Sequence, residues 1–133
     1  MRSDRGSVTI EVVLLTPVIV VMFQFVVYVS RLVASQHIVQ LAADRGARSA
    51  SLVRYSRMQP IGVESAHGYL ETRRSSCTNT RVNVAVDRDS DRPSVLVEIE
   101  CEVDTAGLGL LGVLPKTVRA SSLEVIDLWR ADE

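Results

Sequence analysis

Val12-Val13-Leu14-Leu15-Thr16-Pro17-Val18-Ile19-Val20-Val21-Met22-Phe23-Gln24-Phe25-Val26-Val27-Tyr28-Val29 holds no charge, and 15 of its 18 residues are apolar. Extended to Ser7–Ser30 the stretch has 24 residues, about 36 Å of helix, enough to cross a hydrocarbon core of about 30 Å with some tilt. It is longer than the h-region of a cleavable signal peptide, about 7–15 residues. Pro17 stands inside it and is expected to kink or loosen the helix. The whole chain has 133 residues, 47% of them hydrophobic, and a formal net charge of −1. That length holds one small domain beside the apolar stretch. The near-zero charge argues against a partner held by a general basic field, so no nucleic acid is expected.

Glu11 is the residue out of place. It lies at the head of the apolar stretch, between Ile10 and Val12. A carboxylate near the bilayer centre costs about 2.5–3.5 kcal/mol on insertion scales, which drives it toward a partner. Two readings remain open: Glu11 is shallow and solvated by headgroups, or it pairs with a positive charge from another chain at the same depth. A newly freed α-amine just upstream would be such a charge. The preceding residues, Met1-Arg2-Ser3-Asp4-Arg5-Gly6, form a short charged leader ending in glycine. A cut after Gly6 makes Ser7 the first residue and Glu11 the fifth.

Gly6-Ser7-Val8-Thr9-Ile10-Glu11 followed by an apolar helix resembles the cleavage site of class III prepilins and type IV pilin-like proteins. Continued through Val12-Val13-Leu14-Leu15-Thr16-Pro17, it resembles the opening of the TadE-like pseudopilins of tight-adherence (Tad, or Flp) pilus systems. That family carries a Pro six residues after the Glu, an apolar run ending in Arg, here Arg31, and then an Ala/Arg-rich helix, here Leu41–Arg48. The resemblance is strongest over residues 6–50. It implies cleavage between Gly6 and Ser7 by a membrane-embedded prepilin peptidase. The partners it implies are the membrane, other pilin and pseudopilin subunits, and an inner-membrane assembly platform.

Arginine counting leaves orientation open, because Arg2 and Arg5 precede the span while Arg31, Arg45 and Arg48 follow it. The cysteines speak more clearly. Cys77 and Cys101 are the two in the chain, with no CxxC or metal-ligand spacing. An even pair in a small exported domain reads as a disulfide, and two buried thiols are the alternative. The C-terminal half also resembles TadE-like proteins typical of high-GC Gram-positive bacteria, in which a Cys before the first strand pairs with one late in the second. An Asp-x-x-Arg tail, here Asp127-Leu128-Trp129-Arg130, completes that resemblance.

Beyond the span, Ala34, Ile38, Leu41, Ala42, Ser49, Ala50 and Val53 recur at helical spacing, predicting an amphipathic continuation to about Arg54. Gly46 is expected to weaken that helix by roughly 1 kcal/mol relative to alanine. Gln59-Pro60-Ile61-Gly62 predicts a break, with a short helix over Val63–Arg73. From Cys77 the period becomes two. Val82, Val84 and Val86 form one strand face, and Val95, Val97, Ile99, Cys101 and Val103 another, joined through Asp87–Pro93. Keeping the valines on one face requires paired positions with an odd sum, whereas Cys77 and Cys101 sum to an even number. If the two cysteines pair, a bulge or turn around Thr78-Asn79-Thr80 is expected to absorb the mismatch. Lys116–Val125 predicts a third strand with Thr117, Arg119, Ser121, Leu123 and Val125 on one face.

The expected fold is α+β: an N-terminal transmembrane helix continuing into an amphipathic helix, packed on a small antiparallel β-sheet. The expected divisions are a leader 1–6, a span 7–30, a helix continuation 31–54, a linker with a short helix 55–76 and a disulfide-stapled sheet 77–133. Asp87-Arg88-Asp89-Ser90-Asp91 with Glu98 mimics a calcium loop, but position 6 holds Arg92 instead of glycine, so a solvated turn is expected. His37 and His67 lack metal-ligand spacing and are expected to face solvent, and Trp129 is expected to pack on the sheet edge. No P-loop, GxGxxG or nucleophile elbow is present, so neither catalysis nor a cofactor is expected.

The leading functional expectation is thus a minor pseudopilin, single-pass, with a cytoplasmic N-terminus and an extracytoplasmic domain. The rival is an uncleaved bitopic membrane protein whose domain is an extracytoplasmic interaction module. A third reading, release by signal peptidase near Val33-Ala34-Ser35, is opposed by Arg31 and the length of the span.

Overall fold

In the computed structural model, which describes residues 5–73 and 76–127, the apolar stretch and its continuation form one helix, α1, Arg5–Ser51. At 1.5 Å per residue its 47 residues extend about 70 Å. Pro17 sits inside it. The preceding Thr16 donates its hydroxyl to the Val12 carbonyl at 2.7 Å, so this hydroxyl is satisfied within the apolar stretch. Residues 10–23 are exposed, whereas Ser35, Val39, Ala42, Ala43, Gly46, Ala47 and Ala50 are buried. The buried stripe is therefore rotated from the one expected: Ala34 and Leu41 face outward. Alanine, serine and glycine carry so weak a hydropathy contrast that one leucine misplaced the stripe. The helix ends at Ser51, three residues earlier than expected, where the Ser51 hydroxyl donates to the Arg48 carbonyl at 3.0 Å.

α2, Tyr55–Thr72, returns along α1 and runs straight through Pro60 and Gly62, so the expected break is absent and the helix is far longer than Val63–Arg73. Pro60 deprives the Ser56 carbonyl of its i+4 donor. Both residues are on the exposed face, where water can take that donor's place. Met58, Gly62, Ala66 and Leu70, spaced four apart, form a continuous buried face whose packing outweighs the local defect. Gly46 and Gly62 meet where the helices cross. A Cβ on Gly46 would stand 3.0 Å from the Gly62 carbonyl oxygen, and one on Gly62 would stand 3.3 Å from Ala50 Cβ. The glycine expected to weaken the helix thus stands where α1 and α2 come close together. Gly68, also on α2, would bring its Cβ within 4 Å of nothing. Gly68→Ala should therefore raise stability by about 0.5–1 kcal/mol, through helix propensity alone, read as a higher thermal midpoint in detergent.

The three strands are β1, Cys77–Asp87, β2, Ser94–Val103, and β3, Lys116–Val125, antiparallel in that order. Val95, Val97, Ile99, Cys101 and Val103 on β2 are all buried, as the period-two pattern requires. α1 packs on β2 and β3, and α2 on β1. The expected bulge is present. Val82 pairs with Ile99 and Arg81 with Glu100, but Thr78 pairs with Glu102 and Cys77 with Val103, a shift between Thr78 and Arg81. Asn79 takes a φ of 49° there, a left-handed conformation that asparagine tolerates. On β3, Val118 and Ala120 are buried, while Thr117, Arg119, Ser121, Leu123 and Val125 share the exposed face.

Unpaired sheet edges invite further strands. Here helix glutamines occupy backbone carbonyls on both edge strands. Gln36 and Gln40, one turn apart on α1, donate to the carbonyls of Arg119 (2.9 Å) and Ser121 (3.2 Å) on β3. Gln59 on α2 donates to the Val84 carbonyl on β1 at 3.1 Å.

Candidate processing and assembly segment

Gly6 and Ser7 lie in the first turn of α1, and Glu11 follows one turn after Ser7. Residues four apart share a helix face. A free amine at Ser7 would therefore lie on the Glu11 side of the helix, about 6 Å away along the axis. Glu11 is exposed and has no ion-pair partner among the described residues. Its counter-charge has to come from the chain's own terminus, a neighbouring molecule or solvent.

From Ile10 to Val29 the helix presents large apolar side chains on every side, among them Leu14 at 68% and Phe23 at 71% exposure. Such a cylinder is stable only where lipid or other apolar helices cover it. Among the described residues it is the one helix long and apolar enough to cross a membrane. Gln24 belongs to no motif that marks it in the sequence. It is the amide within the apolar run, and its Oε1 is buried without a hydrogen-bond partner among the described residues. A lone amide at such a depth was the available clue, because buried amides seek partners on adjacent helices. Arg31 ends the apolar stretch, and its Nη1 donates to the Ala106 carbonyl at 2.9 Å, tying the span to the folded domain.

Residues 6–48 match the family model described as TadE-like protein. The match covers about a third of the chain and includes Gly6, Ser7, Glu11, Pro17 and Arg31. It points to a Tad pilus-associated protein. No curated protein and no solved structure matches the chain.

The remaining candidates lie in the folded domain. Cys77 and Cys101 are joined in a disulfide with their Cα atoms 5.4 Å apart, and Cys101 is fully buried. The bulge makes this possible, since it turns Cys77 onto the face that Cys101 occupies. At the Asp87–Ser94 turn, Asp87 Oδ1 accepts the Asp89 N–H at 3.2 Å and the Ser90 hydroxyl donates to the Arg92 carbonyl at 2.9 Å, as in an ordinary polar turn. No cluster of three or more potential metal ligands occurs among the described residues. His37 is exposed, but His67 is half-buried on α2 rather than solvent-facing. Trp129 and Arg130 lie outside the described residues.

Proposed function

We propose that this chain is a minor, non-enzymatic pseudopilin that assists assembly of a Tad/Flp-type pilus or a related secretion filament. The observation that carries the reading is a coincidence. The family match falls on the same residues as a helix that is apolar on all sides, headed by an exposed Glu11 that has no ion-pair partner among the described residues. A prepilin peptidase cuts after Gly6 on the cytoplasmic side, and the freed Ser7 amine is neutralised by Glu11, its own or a neighbouring subunit's. The neutralised head lets the helix of residues 7–30 leave the bilayer and pack among other pilin helices on the assembly platform. The disulfide supports an extracytoplasmic site for the domain, because such bonds persist in oxidising compartments.

The deciding measurement is the mature N-terminus, by mass spectrometry of protein from native cells with and without the peptidase. A start at Ser7 that depends on the peptidase is the expected result; a retained leader in piliated cells would instead make the helix an uncut anchor. Glu11→Ala is expected to leave cleavage intact and abolish or sharply reduce piliation. Wild-type piliation in that variant would remove the charge-pairing step.

A further inference from the structure

Thr105-Ala106-Gly107-Leu108-Gly109-Leu110-Leu111-Gly112-Val113-Leu114-Pro115 is an uncharged connection between β2 and β3, flanked by Asp104 and Lys116. Soluble connections are ordinarily polar. Leu108 is buried and anchors the loop to the domain, and Asp104 Oδ1 accepts the Ala106 N–H at 2.9 Å. Leu114, by contrast, is 81% exposed, the highest value for any large apolar side chain among the described residues.

The position of the loop gives that exposure a meaning. Its Ala106 carbonyl is held by Arg31, two residues past Val29. Side chains on a helix lean toward its N-terminus, so the guanidinium lies at or below the level of the Arg31 backbone. An independent measure agrees. β3 runs beside α1 in the same direction, since Gln36 reaches Arg119 and Gln40 reaches Ser121. At about 3.3 Å per strand residue, Lys116 stands about 10 Å before Arg119. That distance is about seven helical residues before Gln36, at the level of Val29. Leu114 precedes Lys116 by two residues. The loop is thus at the end of the domain where the apolar stretch of α1 begins, opposite the Asp87–Ser94 turn.

We propose that residues 105–115 are a second membrane contact, with Leu114 entering the boundary between headgroups and acyl chains on the extracytoplasmic side. Arg31 and Lys116, the chain's one lysine, lie at the same level and suit anionic headgroups. The domain is then held against the bilayer at two points, span and loop, which fixes its tilt. The inference rests on the reading of residues 10–29 as membrane-embedded.

The test uses the full-length chain in vesicles of phosphatidylcholine and phosphatidylglycerol, its native disulfide left closed. Nitroxide labels are placed singly on Phe23→Cys, Asp89→Cys and Leu114→Cys, all exposed positions. Power saturation compares collisions with oxygen, which concentrates in the bilayer, and with a nickel chelate, which stays in water. The oxygen-to-nickel ratio is expected to be severalfold higher at 114 than at 89, and higher still at 23. A ratio at 114 equal to that at 89, with 23 reading as membrane, overturns the loop contact alone. Shielding of 114 from both reagents assigns the loop to a protein partner and also overturns it. A water-like ratio at 23 overturns the membrane reading itself, and the loop contact with it.

Discussion

Gly46→Leu is expected to lower the thermal midpoint of the folded domain by roughly 15 °C, the equivalent of about 3 kcal/mol for a domain of this size. The position has no room. A first side-chain carbon there would already stand 3.0 Å from the Gly62 carbonyl oxygen, 3.2 Å from Ala66 Cβ and 3.3 Å from Val97 Cγ1. The first of these neighbours is backbone, and all three belong to elements packed against α1. Leucine adds three more carbons and must drive α2 off α1 or α1 off β2. The fall should appear in melts followed by circular dichroism in detergent, with the helix of residues 10–29 unaffected. Gly46→Ala brings a gain of about 1 kcal/mol in helix propensity against the same contacts, and should change stability far less than leucine does. A midpoint for Gly46→Leu within a few degrees of wild type would show that the two helices can separate freely.

Opening the disulfide should have a comparable effect. Cys77 and Cys101 are 24 residues apart, and closing a loop of that length restricts the unfolded chain by about 3 kcal/mol in the entropic treatment. The bond also holds the bulged end of β1 against β2. There, Asn79 Nδ2 donates to Glu102 Oε2 at 2.8 Å and the Thr78 hydroxyl to the Glu102 carbonyl at 3.2 Å, both exposed. Those exposed hydrogen bonds are each modest. Unfolding of the intact chain in detergent, with and without a thiol reductant, should show a midpoint lower by roughly 10–20 °C when reduced. Hydrogen exchange should quicken first at residues 77–81. The cross-strand Glu100–Arg119 pair, 2.7 Å apart, gives no comparable support, since exposed ion pairs contribute under about 1 kcal/mol.

The proposed processing segment rests on clues that are local. A carboxylate heading an apolar stretch, a glycine five residues before it and a proline six after it all lie in one run of residues. The strands were legible for a similar reason: alternation is a near-neighbour property, and the parity of Cys77 and Cys101, once they are paired, calls for an irregularity where the bulge near Asn79 is found. Gln24 and the role of Arg31 were less accessible. Gln24 is distinguished by what it lacks, and the partner of Arg31 is 75 residues away in the chain.

The sequence by itself determined an exposed apolar helix and an antiparallel sheet with its inner face, because hydropathy and two-residue alternation act along the chain. Tertiary structure alone decided which side of α1 is buried, that α2 continues through Pro60, and that helix glutamines occupy carbonyls on both sheet edges. Each of those depends on backbones coming close together. The small residues that permit such an approach, Gly46, Gly62 and the alanines around them, have too little side chain to announce it in the sequence.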